Sequence, residues 1–142
     1  MQISSTRFGE VEVRDDAVLE FPDGLIGLPG TRYALLGDAP DSPFFWLHSV
    51  DHDDVAVPVT NPWLFFDDYG VELSDADTAR VGSETPDVWV TVRTGAAPQD
   101  FSANLRAPIL VADGRGHQVI NEASDAPVRA PLFTDAAVGQ AA

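Results

Sequence analysis

A histidine and an acidic tetrapeptide at residues 48–54 are the side chains whose types and spacing could do chemistry. His48 stands just before the sequence DHDD at residues 51–54. Imidazole and carboxylate ligands together suit zinc or manganese. The same tetrapeptide lies between two apolar runs, however, and a solvated hairpin turn also collects acids. We favour the turn and predict no metal site. The remaining histidine, His117, follows a glycine-rich turn and is expected to be exposed.

Other catalytic patterns find little support in the sequence. Cysteine is absent, which removes thiolate nucleophiles, thiolate zinc ligands and disulfides. No G-x-S-x-G elbow occurs, although a Ser–His–Asp triad stays open because its members can be remote in sequence. Gly24, Gly27 and Gly30 have the wrong spacing for a dinucleotide-binding loop, and GLIG lacks the basic neighbours of an RNA-binding loop. We therefore predict no catalytic residues, no cofactor and no enzymatic activity.

The net charge restricts the class of partner. The chain has 142 residues and a formal charge of −15, and all eight of its basic residues are arginine. Such a surface repels phosphate backbones, so we predict no direct binding to nucleic acid. The acidity would attract a basic partner, or it could serve only solubility; both interpretations stay open. Residues 1–10 show no secretory pattern and no apolar run is long enough for a membrane span, so we expect a cytoplasmic protein without membrane contact.

Short strands are predicted to position these side chains. Residues 42–69 contain two apolar runs that flank the acidic turn, and a third apolar run, 63–66, that follows Asn61-Pro62. The run VWVTVRT (88–94) alternates cleanly, and 104–112 predicts a strand with a proline near its start. DGRG at 113–116 predicts a hairpin turn. Between them, Ser74, Asp77 and Gly82 predict a short helix over residues 75–81.

The sum of these elements is seven to nine short strands with little helix. This pattern predicts an all-β fold: a small antiparallel β-barrel-like or sandwich domain with one or two short helices. We assign residues 1–125 to one domain and predict a flexible C-terminal tail over 126–142. The loop at 22–30 contains Leu25, Ile26 and Leu28, which either fold back onto the core or form a contact surface.

Five segments resemble the flagellar assembly factor FliW family. VLEFPDGLIGLPGTRYALL (18–36) is similar to its F-x-x-G-[IL]-x-G-[FL] segment, and SPFFWLHSV (42–50) to its P-F-x-x-L-[QH]-S segment. VAVPVTNPWLFFDDYGVEL (55–73) resembles its V-x-F-x-V-x-x-P-x-x-[FW]-x-x-Y block. NLRAPILV (104–111) and GHQVI (116–120) match N-L-x-A-P-I-x-[VI] and G-x-Q-[VI]. The blocks occur in order over residues 8–121, whereas the chain after Asn121 does not clearly match.

The resemblance implies a non-enzymatic, cytoplasmic protein that binds newly made flagellin as a chaperone. It also implies binding to the RNA-binding translational regulator CsrA beside its RNA site, which lifts the repression of flagellin translation, so that flagellin and CsrA are alternative partners. We expect a monomer when free. The alternative function is a small-molecule- or metal-binding β-barrel.

Candidate partner contacts follow from exposure arguments and from the matched blocks. Consecutive apolar residues cannot all face one core, so Trp63 or Phe66 is expected to face outward. The loop aliphatics and the polar members of the blocks complete the set, although each could instead pack or cap a turn. The candidates are Leu25, Ile26, Leu28, Asn61, Trp63, Phe66 and Asn104.

Overall fold

The structure, a computed structural model, describes residues 1–37, 41–71, 74–120 and 127–133. These residues form eleven short strands, one α-helix and three 3-10 helices. The strands, β1 to β11, are Gln2–Ser5, Gly9–Glu12, Val18–Glu20, Arg32–Gly37, Phe44–Ser49, Ala56–Thr60, Asp87–Arg93, Ser102–Ala103, Ile109–Ala112, Arg115–Gln118 and Ala130–Pro131. The helix, α1, is Asp75–Val81, and the 3-10 helices are Asp15–Ala17, Pro62–Leu64 and Pro98–Asp100. None of these helices has the length and apolar character that a membrane span requires.

Seven strands close into a barrel. Their order is β7-β6-β5-β4-β3-β10-β9, and β9 pairs with β7 to complete the ring. The pairings are antiparallel except that of β10 with β3, which is parallel. β8 and β11 extend the sheet from β7, while β1 and β2 form a separate hairpin. The all-β prediction is confirmed, and the barrel is the correct one of its two alternatives.

The barrel interior is filled by large apolar side chains that alternate along the strands. Phe21 and Tyr33 are fully buried, and their rings meet edge to face at 5.8 Å. The Tyr33 hydroxyl donates to the carbonyl of Pro29, and burial raises the pKa of Tyr33. Gly116 faces Phe21 so closely that a Cβ atom there would lie 2.2 Å from the ring. The buried members of this first core are Leu19, Phe21, Leu25, Tyr33, Leu47, Val59, Ile109 and Val111.

A second core lies between β7, β8, β11 and the segment that follows β6. Val90 and Val92 of β7 face it, as the alternation in VWVTVRT predicted. Aromatic rings surround it, with Phe44 stacked on Phe65 at 6.0 Å and Phe133 edge-on to Phe65 at 5.6 Å. The other buried members are Ala103, Leu105, Ala130 and Leu132.

The chain after residue 126 contributes to this second core. β11 pairs with β8, Leu132 is buried, and its amide donates to the carbonyl of Phe101 at 3.1 Å. Residues 127–133, which lie within the predicted tail, thus contribute strand pairing and apolar burial to the second core. The remainder of the predicted tail, 134–142, lies outside the described residues, as do 121–126 at the domain limit.

Helix α1 has the predicted bounds and caps. The Ser74 hydroxyl accepts from the amide of Asp77 at 3.1 Å, and the Asp77 carboxylate accepts from the amide of Ser74 at 3.3 Å. Gly82 ends the helix with φ of 80°, a left-handed conformation that glycine adopts without strain. The helix packs on β9 and β10, where Val81 joins a small cluster with Leu110 and Val119.

Several element boundaries differ from the predictions. Pro62–Leu64 is a 3-10 helix rather than part of a third apolar strand, because the Asn61 side chain caps it and proline favours its first turn. The predicted strand 104–112 is shortened to β9, and residues 104–108 form a loop. The hairpin turn is tighter than expected, with Asp113 and Gly114 at φ of 51° and 77° and Arg115 already in β10.

Candidate partner-binding surface

The loop between β3 and β4 contains three of the predicted contact residues, and the structure separates them. Leu25 is buried and Leu28 packs against the first core, so both fold back. Ile26, between them, is 63% exposed. Its amide donates to the Gln118 side-chain oxygen at 2.7 Å, which fixes the tip of the loop to β10. Of the three aliphatics, Ile26 is therefore the side chain available to a partner.

The 3-10 helix after β6 presents a second exposed group. Asn61 caps this helix by accepting from the amide of Trp63 at 2.9 Å. Trp63 is 40% exposed and Leu64, which the sequence reasoning missed, is 62% exposed. The indole N–H of Trp63 donates to the carbonyl of Tyr69 at 2.7 Å. Phe66 packs against the second core. Trp63 thus faces outward as expected, whereas Phe66 is largely a core residue.

Residues 104–108 join these two groups. The Tyr69 hydroxyl donates to the carbonyl of Leu105 at 2.7 Å. The side-chain NH₂ group of Gln118 donates to the carbonyl of Ala107 at 3.0 Å, and its side-chain oxygen accepts from the backbone N–H of Ile26. Asn104 shapes the loop, because its side-chain oxygen accepts from the amides of Arg106 and Ala107 at 3.0 and 3.3 Å. Asn61 and Asn104 are therefore turn-forming residues.

Ile120 extends the exposed apolar surface at the same loop. It is 55% exposed, and the preceding residue, Val119, donates its amide to the carbonyl of Pro108 at 3.1 Å. We call the four exposed side chains on the segments that are hydrogen-bonded to residues 104–108 the apolar surface; its members are Ile26, Trp63, Leu64 and Ile120. The exposed carboxylates Asp67 and Asp68 follow Leu64 in the chain. The surface therefore combines exposed apolar groups with negative charge.

The histidines do not assemble the metal site that was considered from the sequence. His48 is buried, with Nδ1 2.7 Å from the carbonyl of Ser49 and Nε2 2.8 Å from the Ser5 hydroxyl. Both ring nitrogens are therefore occupied by hydrogen bonds. Within the described ranges, no group of three or more histidine, aspartate or glutamate side chains is placed to hold a metal ion. The acidic turn instead ends the hairpin of β5 and β6, as predicted.

His117 is buried, and the expectation of an exposed side chain is wrong. Its Nε2 lies 3.4 Å from Asp77 of α1, and its Nδ1 lies 3.7 Å from Asp23 of the 22–30 loop. Arg80 of α1 also reaches Asp23, at 3.1 Å. The glycine-rich turn before His117 gave no sign that α1 would cover it. These contacts attach the loop that carries Ile26 to the helix.

The fold and surface define a class: a small closed β-barrel with one capped helix, a second aromatic core and an exposed apolar surface beside one loop. Residues 2–132 match the family model described as FliW protein. The chain belongs to the FliW family of flagellar assembly factors. This confirms the resemblance drawn from the five sequence segments.

Individual relatives agree along nearly the full length. The chain is 35% identical over 142 residues to the flagellar assembly factor FliW of Natranaerobius thermophilus, covering 95% of this chain and 94% of that protein. It is 36% identical over 132 residues to that of Syntrophotalea carbinolica, covering 89% and 94%. A crystal structure of the flagellar assembly factor FliW has the same fold, with a TM-score of 0.86 at 23% identity over 95% of this chain and 99% of that one.

Proposed function

We propose that this chain is a non-enzymatic, cytoplasmic flagellar assembly factor that binds flagellin as a chaperone. We further propose that it binds the translational regulator CsrA and so relieves the repression of flagellin translation. The observation that carries the proposal is membership of the FliW family over residues 2–132. An exposed apolar surface on the closed barrel supports it. Flagellin and CsrA are alternative partners of the free monomer.

The apolar surface supports the chaperone part of the proposal. An amphipathic helix presents apolar side chains at intervals of three and four residues, and it binds where a receptor exposes complementary apolar groups. Ile26 and Ile120 are on segments bonded to Ala107 and Pro108 through Gln118 and Val119, and Trp63 and Leu64 are on the segment bonded to Leu105 through Tyr69. Tryptophan is a frequent anchor in such interfaces because it contributes a large rigid area at a low cost in conformational entropy.

The charge of the chain supports the regulator part. A protein that grips RNA must be basic where it contacts phosphates, and a partner of charge −15 is drawn towards it over long range. Two of the acids that carry this charge, the exposed Asp67 and Asp68, lie close in sequence to Leu64 of the apolar surface. The attraction should weaken as salt shortens the screening length.

Calorimetry with the purified full chain, flagellin and CsrA from the same organism tests the proposal. We expect binding to both partners, a weaker association with CsrA at higher salt, and loss of CsrA binding once flagellin saturates the chain. Trp63→Ala should weaken flagellin binding at least tenfold. Phe8→Ala is the matched control, because Phe8 is also an aromatic residue with 40% exposure but belongs to the turn after β1.

Two outcomes contradict the proposal. Binding to neither partner, with both partners folded and active, refutes the function itself. Equal losses for Trp63→Ala and Phe8→Ala would leave the partners in place but remove the assignment of the apolar surface. The metal-binding alternative is not proposed, because no three described histidine, aspartate or glutamate side chains are placed to hold a metal ion.

A further inference from the structure

A cleft opens where β6 and β7 separate. Val59 and Thr60 of β6 pair with Thr91 and Val90 of β7, but Ala56, Val57 and Pro58 pair only with β5 on the opposite side. Proline lacks the amide hydrogen that would continue the ladder towards β7. The strands therefore diverge from Pro58 back to Ala56 and leave a cleft of about 270 Å³ beside them.

Two arginines border this cleft. Arg93 ends β7 and Arg129 precedes β11, and both side chains are exposed. Among the described residues neither forms an ion pair, whereas Arg14, Arg32 and Arg80 each contact an aspartate. In a chain with 23 acidic and eight basic residues, two guanidinium groups that have no carboxylate partner among the described residues give this cleft a local positive charge.

The remaining lining is suited to a side chain that is partly apolar and partly anionic. Val57 and the exposed Val128 contribute apolar surface, and Ser102 contributes a hydroxyl. The Asn104 oxygen is already used by two loop amides, which leaves its NH₂ group as a donor. Guanidinium groups bind carboxylates with two parallel hydrogen bonds, a geometry that lysine cannot reproduce.

The size and charge of the cleft restrict its occupant. It is smaller than the roughly 300–1,000 Å³ of sites that enclose a whole small-molecule ligand. It can therefore take one or two side chains of a polypeptide. A nucleic acid is disfavoured because the whole chain carries a formal charge of −15, which repels an extended polyphosphate backbone. A single acidic side chain needs only the local positive charge.

We propose that this cleft binds an extended acidic peptide segment of a partner protein. A glutamate or aspartate carboxylate lies between Arg93 and Arg129, and an adjacent aliphatic side chain packs on Val57 and Val128. The cleft has different side chains from the apolar surface, although Asn104 lines the cleft and also shapes the loop beside that surface, and it does not require that flagellin or CsrA be the partner. It gives the barrel a second interaction site with the opposite charge preference.

The test uses a synthetic probe, the peptide acetyl-Val-Glu-Val-Glu-Val-amide, titrated into the ¹⁵N-labelled full chain. We expect saturable amide shifts at Val57, Arg93, Ser102 and Asn104, and binding that weakens with salt. The double variant Arg93→Gln/Arg129→Gln should bind at least tenfold more weakly. Arg115→Gln is the matched control, since Arg115 is an exposed arginine of β10 outside the cleft, and it should bind as the unsubstituted chain does.

Four results would overturn the proposal. The first is no shift at the cleft at millimolar peptide while melting curves show the chain folded. The second is equal binding of the peptide with glutamine in place of glutamate, which would indicate apolar contact alone. The third is equal weakening by Arg115→Gln, or equal binding of inorganic phosphate, which would indicate general electrostatics or a simple anion site. The fourth is a dimeric mass by light scattering, with the cleft covered by a second copy.

Discussion

The contact between Gly116 and Phe21 gives a sharp test of the barrel interior. A Cβ atom at Gly116 would lie 2.2, 2.3 and 2.8 Å from three atoms of the Phe21 ring, whereas ordinary contacts begin at 3.4 Å. The ring would have to retreat by about 1.2 Å, the difference between 3.4 and 2.2 Å. Phe21 is fully buried and in edge contact with Tyr33, so it has no free space in which to move. Gly116→Ala should therefore overpack the core.

The magnitude follows from two opposing effects. Overpacking a well-filled core costs about 1–3 kcal/mol, and the clash here is with ring atoms rather than a flexible end, which favours the upper part of that range. Replacing glycine also restricts the unfolded chain, which returns roughly 0.4–1 kcal/mol. We expect a net loss of about 2 kcal/mol in the free energy of unfolding. For a chain of this size that corresponds to a fall in Tm of roughly 6–10 °C.

Urea unfolding and thermal melts measure this loss, and two further variants interpret it. Gly37→Ala is the control, because its new Cβ would meet Phe45 at an ordinary 4.0 Å, so its stability should be unchanged or slightly raised. Phe21→Leu removes the ring, and in the double variant the alanine should cost less than it does alone. A stable Gly116→Ala chain, or additive effects in the double variant, would refute the packing described for the interior.

Two other perturbations test separate parts of the fold. Leu132→Ala should lower the free energy of unfolding by about 2–4 kcal/mol, because it opens a cavity in the second core. Val128→Ala, at an exposed position, should be nearly neutral in the same urea unfolding assay. Equal effects would contradict the packing of residues 127–133. The Arg32 guanidinium lowers the pKa of Asp51, so this carboxylate stabilises the fold above its unfolded pKa and the contribution is lost as pH falls through the lower folded value. Melts of Asp51→Asn and the unsubstituted chain should therefore differ slightly at pH 7 and converge in acid, and a difference that grows in acid would be the wrong sign.

Local signals predicted the parts of the fold that depend on neighbours in sequence. The alternation in VWVTVRT gave β7 and its buried valines, because a strand turns each successive side chain to the opposite face. Ser74, Asp77 and Gly82 gave α1, because the capping box and the left-handed glycine are chemistry of the helix ends alone. The Asp113-Gly114 turn predicted the β9–β10 hairpin, because the positive φ angles of such a turn depend on the turn residues themselves.

Features that depend on distant partners could not be predicted. Closure of the barrel rests on the pairing of Asp87 with Val111 and its neighbours, which no local pattern encodes. Burial of His117 requires α1 and the 22–30 loop to approach it from two other parts of the chain. β11 has only two residues, and its placement depends on β8 and on the aromatic rings of the second core.

The candidate surface shows the same division. The sequence identified the aliphatic loop and the aromatic run, but only the fold shows which members face outward. Ile26 is exposed because Leu25 and Leu28 pair across it in a tight turn and take the two inward positions. The exposure of Leu64 was not predicted, because four consecutive apolar residues at 63–66 give no sign of a 3-10 helix. It is this helix that turns Leu64 outward.

The segment NLRAPI explains why the two exposed groups belong together. Leu105 is buried in the second core and Ile109 in the first, so residues 104–108 connect the two cores. The same residues hold Tyr69 through the Leu105 carbonyl and Gln118 through the Ala107 carbonyl. A change in this loop would therefore move Trp63 and Ile26 at once without removing either side chain. Loss of flagellin binding on substitution of Asn104, with binding of the acidic peptide to the cleft unchanged, would thus report the geometry of the apolar surface, whereas substitution of Ile26 or Trp63 would report contact.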